Sequence, residues 1–104
     1  MGVDVHAVIP ERENGYGLTE NSINAVLEGL FPDLLITVDC GISCHDEVEY
    51  LKDLGVDVIV TDHHEIPEIL PDCTVINCKL KGQEYPFDSL CGAGVSYKLS
   101  YALI

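Results

Sequence analysis

Leu34-Leu35-Ile36-Thr37-Val38-Asp39-Cys40-Gly41 and Val56-Asp57-Val58-Ile59-Val60-Thr61-Asp62-His63-His64-Glu65 decide the fold of this chain. Each opens as a short run rich in β-branched and aliphatic residues, which reads as a strand. The first run is so nearly continuous in apolar residues that it reads as a strand covered on both faces. Each run then stops at an aspartate. Between them, Ser43-Cys44-His45-Asp46 reads as a capping box, with Asp46 in the reciprocal place. Val48, Leu51 and Leu54 share one helical face, and Gly55 stands where a left-handed C-cap is wanted. Strand, helix and strand in this order make a right-handed βαβ unit with parallel strands.

The same alternation extends in both directions. Val3-Asp4-Val5-His6-Ala7-Val8-Ile9 reads as a strand closed by Pro10, and Asn14-Gly15 marks a turn in the polar loop that follows. Thr19 offers an N-cap to a helix with Ile23, Val26, Leu27 and Leu30 on one face, which Pro32 prevents from running on. Thr74-Val75-Ile76-Asn77-Cys78 reads as a further strand. Val95, Leu99, Ala102 and Leu103 mark a last helix, with Gly92-Ala93-Gly94 ahead of it. The expected fold is α/β, a Rossmann-like parallel sheet with helices on both faces. Nothing precedes the first strand and no cap ends the last helix, so residues 1–104 are expected to be one piece of a larger domain.

Composition narrows the function classes. The chain carries 18 Asp and Glu against 5 Lys and Arg, a formal charge of −13. Affinity for nucleic acid comes mainly from Lys and Arg neutralising phosphates, so the chain alone should bind DNA or RNA poorly. A divalent cation would supply the missing positive charge. No apolar run is long enough to span a bilayer and no leader is visible, so a cytoplasmic protein with no membrane partner is expected. Met1-Gly2 opens like a myristoylation signal, but His6 stands where Ser or Thr belongs. The five cysteines include Cys40-x-x-x-Cys44-His45 and Cys73-x-x-x-x-Cys78, neither of which is the close pairing of a structural zinc site. Reduced, structural thiols are the expectation.

Ligands of open parallel sheets bind at the carboxyl ends of the strands. Asp39-Cys40-Gly41 and Asp62-His63-His64-Glu65 both fall there, 23 residues apart, which is one helix and one strand. A lone aspartate at a strand end commonly caps a helix or forms a turn, and a lone loop histidine is commonly solvated. Two histidines directly after an aspartate, beside a second aspartate, favour a site for Mn²⁺, Mg²⁺ or Zn²⁺.

Asp62-His63-His64 resembles the motif that names the DHH phosphoesterases, and Val38-Asp39-Cys40-Gly41 resembles that family's preceding aspartate motif. Ile9-Pro10-x-Arg12, Gly15-Tyr16-Gly17-Leu18, Tyr85-Pro86-Phe87 and Leu90-Cys91-Gly92-Ala93-Gly94-Val95 follow the pattern of its RecJ-type branch of single-stranded-DNA exonucleases, in order and spacing. The resemblance covers nearly the whole chain. It implies 5′–3′ phosphodiester hydrolysis on single-stranded DNA with two Mn²⁺ or Mg²⁺ ions, in DNA repair and recombination. By position, Asp39 is implied as a carboxylate bridging the metals and His63 as a direct ligand. His64 is implied to face the scissile phosphate, and Asp62 is implied as an orienting carboxylate behind the direct ligands. Arg12 is implied as a phosphate clamp, although a surface ion pair would also suit it. Gly92 and Gly94 could bring backbone N–H groups to phosphate, and could equally be packing features.

The family's D-x-D-G block, a later metal-binding aspartate and the glycine-rich motif of its second domain are not in these 104 residues. Neither metal would then have a complete ligand set, so the fragment is expected to be inactive alone and to need the missing N- and C-terminal segments of the same protein. Two alternatives remain at this point. One keeps the site but acts on short oligonucleotides, cyclic dinucleotides or pyrophosphate; the other is a non-catalytic interaction module.

Overall fold

Thr19 caps the first helix as its position predicts. Its hydroxyl accepts the Ser22 backbone N–H at 3.1 Å, and the Ser22 hydroxyl accepts that of Thr19 at 2.9 Å, so two donors with no helical partner are satisfied reciprocally. The computed structural model describes residues 2–9, 17–82 and 85–104. The order of elements is α1 (Glu20–Gly29), β1 (Leu34–Val38), α2 (His45–Asp53), β2 (Asp57–Asp62), β3 (Thr74–Asn77) and α3 (Gly92–Leu103). The strands form one parallel sheet in the order β1-β2-β3, as the βαβ reading requires. The register pairs Val38 with Thr61 and Asp62 with Asn77, so the carboxyl ends of all three strands come out at one edge.

The core lies on one face of this sheet. Ile23 of α1 and Val48 and Leu51 of α2 pack there with Val56, Val58 and Val60. Removing such side chains from water contributes about 1.5–3 kcal/mol each. Gly55 ends α2 as expected, with φ +84° and its N–H donated to the Lys52 carbonyl at 2.9 Å. On the other face, Val95, Leu99 and Ala102 of α3 line a cavity of about 230 Å³ with Ile76 of β3. Among the described residues, no helix is long and apolar enough to cross a membrane.

Four sequence expectations need correction. Residues 3–9 are not a strand; Val3, Val5, Val8 and Ile9 stand exposed. An alternating apolar pattern becomes a strand only where a neighbour accepts its backbone hydrogen bonds, and no described strand pairs with this stretch. Leu34, Ile36 and Val38 of β1 are about half exposed, so β1 is covered on one face and not two. The Ser43 capping box does not form. Helix α2 starts one residue later, behind Cys44, whose thiol turns to the Leu18 carbonyl at 3.5 Å, while Asp46 faces the His45 ring. Finally, Gly92-Ala93-Gly94 is the first turn of α3 rather than a loop ahead of it, and Leu103 is exposed where an apolar contact was expected. The loop with Asn14-Gly15 and Arg12 lies outside the described residues.

Candidate metal centre

The tips of β1 and β2 converge because their backbones are tied together. The Asp39 N–H donates to the Thr61 carbonyl at 3.0 Å, and the Thr61 hydroxyl donates to the Thr37 carbonyl at 2.5 Å. The Thr37 hydroxyl in turn donates to the Cys40 carbonyl at 2.7 Å. Asp39 takes φ +64°, a left-handed conformation that costs a non-glycine residue on the order of 1–2 kcal/mol and turns its side chain away from the strand direction. Gly41 completes the turn at φ +103°, where a Cβ would press on the Thr37 side chain at 3.0 Å.

Asp39, Asp62, His63 and His64 each place a ligand atom so that all four lie within 4.8 Å of one another. The two strand tips thus form one cluster, as the 23-residue spacing suggests. The two carboxylates differ sharply inside it. Asp62 is 1 % exposed and saturated with donors. Its Oδ2 accepts the Ile42 N–H at 3.1 Å, and its Oδ1 accepts the His63 N–H at 2.8 Å and the His64 N–H at 3.3 Å. The Nδ1 of His64 also reaches Oδ1 at 2.5 Å. Burial by itself would push the Asp62 carboxyl up; the His64 ring and these backbone N–H groups outweigh it and hold the group below the ordinary carboxylate range.

Asp39 is the opposite case. Its Oδ1 is closed off from solvent, lies 2.7 Å from His63 Nε2 without the alignment of a hydrogen bond, and has no hydrogen-bond partner among the described residues. A buried carboxylate oxygen with nothing donating to it is costly unless a cation meets it. Two atoms bound to one ion at about 2.1 Å each stand roughly 3 Å apart, near the separation of Oδ1 and Nε2. The donor set, carboxylate oxygen beside imidazole nitrogen, suits Mn²⁺. These residues fit a divalent metal.

His64 is held by Asp62 on one side and presents a side chain that is 52 % exposed on the other. Its ring lies 4.5 Å from that of His63, and its carbonyl accepts from Asn77 Nδ2 at 3.0 Å. Asn77 is a residue that the sequence reading did not place in the site. It sits at the tip of β3 opposite Asp62 and is 1 % exposed. The strand-tip argument that picked out Asp39 and Asp62 would have found it, had it been carried to the third strand. Gly92 stands directly against the Asp39 side chain, whereas Gly94 has Leu90 nearest to it. Arg12 lies outside the described residues. None of the five thiols forms a disulfide or belongs to this cluster, and burial ahead of the neighbouring Glu47 and Cys40 pushes the Cys44 thiol up to about 11.

The family model "DHH family, N-terminal domain" matches residues 1–103. The chain belongs to the DHH family. Among curated DHH relatives, it is 42% identical over 106 residues to the single-stranded-DNA-specific exonuclease RecJ of Bacillus subtilis (strain 168), covering 100% of this chain and 13% of that protein. It is likewise 42% identical to RecJ of Thermus thermophilus, covering 99% of this chain and 15% of that one. The solved structure of an exonuclease RecJ bound to manganese superposes with a TM-score of 0.80 at 43% identity, over 98% of this chain and 26% of the other. A Mn²⁺ complex of the Thermus thermophilus RecJ matches with a TM-score of 0.59 at 38% identity, over 76% of this chain and 12% of the other. The DHH chain thus spans less than a fifth of the length of these curated relatives, and both of these structural neighbours hold manganese.

Proposed function

We propose that this chain is the central part of the DHH domain of a cytoplasmic, RecJ-type exonuclease that hydrolyses single-stranded DNA 5′–3′ in repair and recombination. The observation that carries the reading is Asp39 Oδ1, buried without a hydrogen bond and 2.7 Å from His63 Nε2, in a cluster of four ligating side chains at two strand tips. Two bound Mn²⁺ or Mg²⁺ ions supply the activation of water and the neutralisation of charge on the phosphate that such hydrolysis needs.

The chain's own residues divide the remaining work. Asp39 would hold the metal ions as their shared carboxylate and His63 would be a direct ligand. Asp62, satisfied by four contacts, holds rather than reacts: it fixes the Ile42 turn to β2 and sets the His64 ring. With Nδ1 of His64 turned to Asp62, the other ring nitrogen is left to face the scissile phosphate and stabilise charge there. Arg12 clamps a phosphate, and the first turn of α3 at Gly92 and Gly94 brings backbone N–H groups to phosphate. The basic surface for single-stranded DNA belongs to segments flanking these residues, since the chain itself carries −13.

The test uses the full gene product. With Mn²⁺ it should shorten 5′-labelled single-stranded DNA, leave blunt duplex intact and stop when the metal is chelated. The 104-residue chain should do none of this. Preference for dinucleotides or cyclic dinucleotides over long strands would replace the exonuclease reading with that of a small-substrate phosphodiesterase. Failure to bind Mn²⁺ at all would leave only an interaction module.

A further inference from the structure

We propose that Gly92 is a positioning residue for the Asp39 carboxylate: the bare Cα at the head of α3 is what allows Asp39 to set its buried Oδ1 beside His63 Nε2 for a divalent cation. The inference rests on the metal-centre reading and adds a steric requirement to it. The left-handed backbone of Asp39, at φ +64°, sends its side chain from the tip of β1 toward the first turn of α3. There it meets Gly92, which is buried. A Cβ on Gly92 would stand 2.5 Å from Asp39 Oδ1 and closer still to its Cβ and Cγ, whereas real Cβ atoms essentially never come within 3.0 Å of a neighbour.

Neither side can withdraw cheaply. Asp39 is anchored through its N–H to the Thr61 carbonyl, and α3 is anchored by Val95, buried one turn on. Any side chain at 92 must therefore push the carboxylate from its place between Gly92 and His63 Nε2. Gly94 makes a useful contrast. The nearest atoms to a Cβ there belong to the Leu90 side chain, first its far end at 3.2 Å, which can rotate away. The two glycines of Gly92-Ala93-Gly94 thus have different jobs, and the first belongs to the metal centre.

The experiment measures Mn²⁺ affinity of the full gene product by calorimetric titration and by the electron-paramagnetic-resonance signal of free Mn²⁺, with thermal unfolding followed in chelator. Gly92→Ala should weaken Mn²⁺ binding by about 10–100-fold, as loss of a group that orients a ligand does. Ala93→Ser, on the exposed side of the same turn, should leave it unchanged. Wild-type affinity in Gly92→Ala overturns the proposal. Asp39→Asn separates this from failure of the underlying reading: if it too binds Mn²⁺ normally, there is no metal centre at Asp39 to position. Should Gly92→Ala prove too unstable to titrate, a double-mutant cycle decides the matter. Gly92→Ala should lower the melting temperature strongly with Asp39 present and hardly at all in an Asp39→Gly background. Equal losses in both backgrounds overturn the proposal.

Discussion

β1 and β2 are alike in sequence and unlike in circumstance. Both are short apolar runs ending in an aspartate, and they pair residue for residue from Leu34 with Asp57 to Val38 with Thr61. Yet Val58, Val60, Thr61 and Asp62 of β2 are buried, while Leu34, Ile36 and Val38 of β1 stand about half exposed. The aspartates reverse the order. Asp62, on the buried strand, is fully hydrogen-bonded; Asp39, on the exposed strand, has a left-handed backbone and an oxygen that faces His63 without a hydrogen bond. Burial of a strand depends on which layers cover it. The chemistry of its tip depends on local turns and donors, and the two vary independently.

The sharpest way to break that contrast is to exchange the roles of the tips. In the full gene product, His63→Ala should remove nuclease activity and weaken Mn²⁺ binding together, and Asp39→Ala should weaken Mn²⁺ binding the most. His64→Ala should keep most of the metal affinity and lower turnover by about 10²–10³-fold, as loss of one group stabilising transition-state charge does. Calorimetry set beside single-turnover rates reads both quantities. Equal loss of metal affinity in the two histidine variants would mean that His64 is a ligand and that Asp62 does not reserve it for substrate.

A second comparison concerns the strand bodies. Val60→Ala removes two methyl groups from a fully buried position and should cost the 104-residue chain about 2 kcal/mol in urea unfolding. Ile36→Ala, on the open face of β1, should cost no more than about 0.5 kcal/mol. Repeating the pair in the full gene product sharpens the point. If Ile36→Ala becomes as costly as Val60→Ala there, another layer covers β1, as the continuous apolar run of the sequence suggests.

These strands also show how much was legible beforehand. The parallel order, the Thr19 and Gly55 caps and the meeting of Asp39 with Asp62, His63 and His64 could all be read. Each follows from local periodicity plus the rule that parallel strands share a tip edge. The failures are of a different kind. Residues 3–9 have the alternation of a strand and no described neighbour to pair with, a fact about the rest of the sheet that no window of sequence contains. Ser43 and Asp46 have the spacing of a capping box, but Cys44 stands at the N-cap with its thiol turned to the Leu18 carbonyl, and the helix starts one residue later. Gly92 was read for its backbone N–H groups; its missing side chain mattered through a partner 53 residues away in sequence.

A smaller effect is expected at the donors around Asp62. Asn77→Ala strips the His64 carbonyl and the Lys79 N–H of a buried partner and should cost about 1–3 kcal/mol, with His64 less firmly held. Asp62→Asn, measured in chelator, should show a dependence on pH of definite sign. Because folding holds the Asp62 carboxyl below its ordinary range, the stabilisation is present above about pH 4 and fades as pH falls through the folded value. The stability gap between wild type and variant should therefore be widest near neutrality and narrow in acid. A gap that widened in acid would mean that Asp62 folds protonated.

The smallest expected effect contrasts two thiols at the starts of two helices. Cys44 precedes α2 and Cys91 precedes α3, and neither side chain caps its helix. A helix N-terminus alone would favour a thiolate at Cys44. At Cys44 burial, followed by the charge of Glu47, prevails and pushes the thiol up to about 11, so at pH 8 only about one molecule in a thousand is ionised there. Cys91 is exposed. Iodoacetamide at pH 8 followed by peptide mass mapping should label Cys91 first and Cys44 at least about tenfold more slowly. Blocking Cys91 should leave Mn²⁺ affinity of the full gene product unchanged, since no thiol belongs to the cluster. Fast labelling of Cys44 would show that α2's first turn opens readily. In that event the Ile42 bond to Asp62, made from the turn just before α2, would be exposed to the same opening.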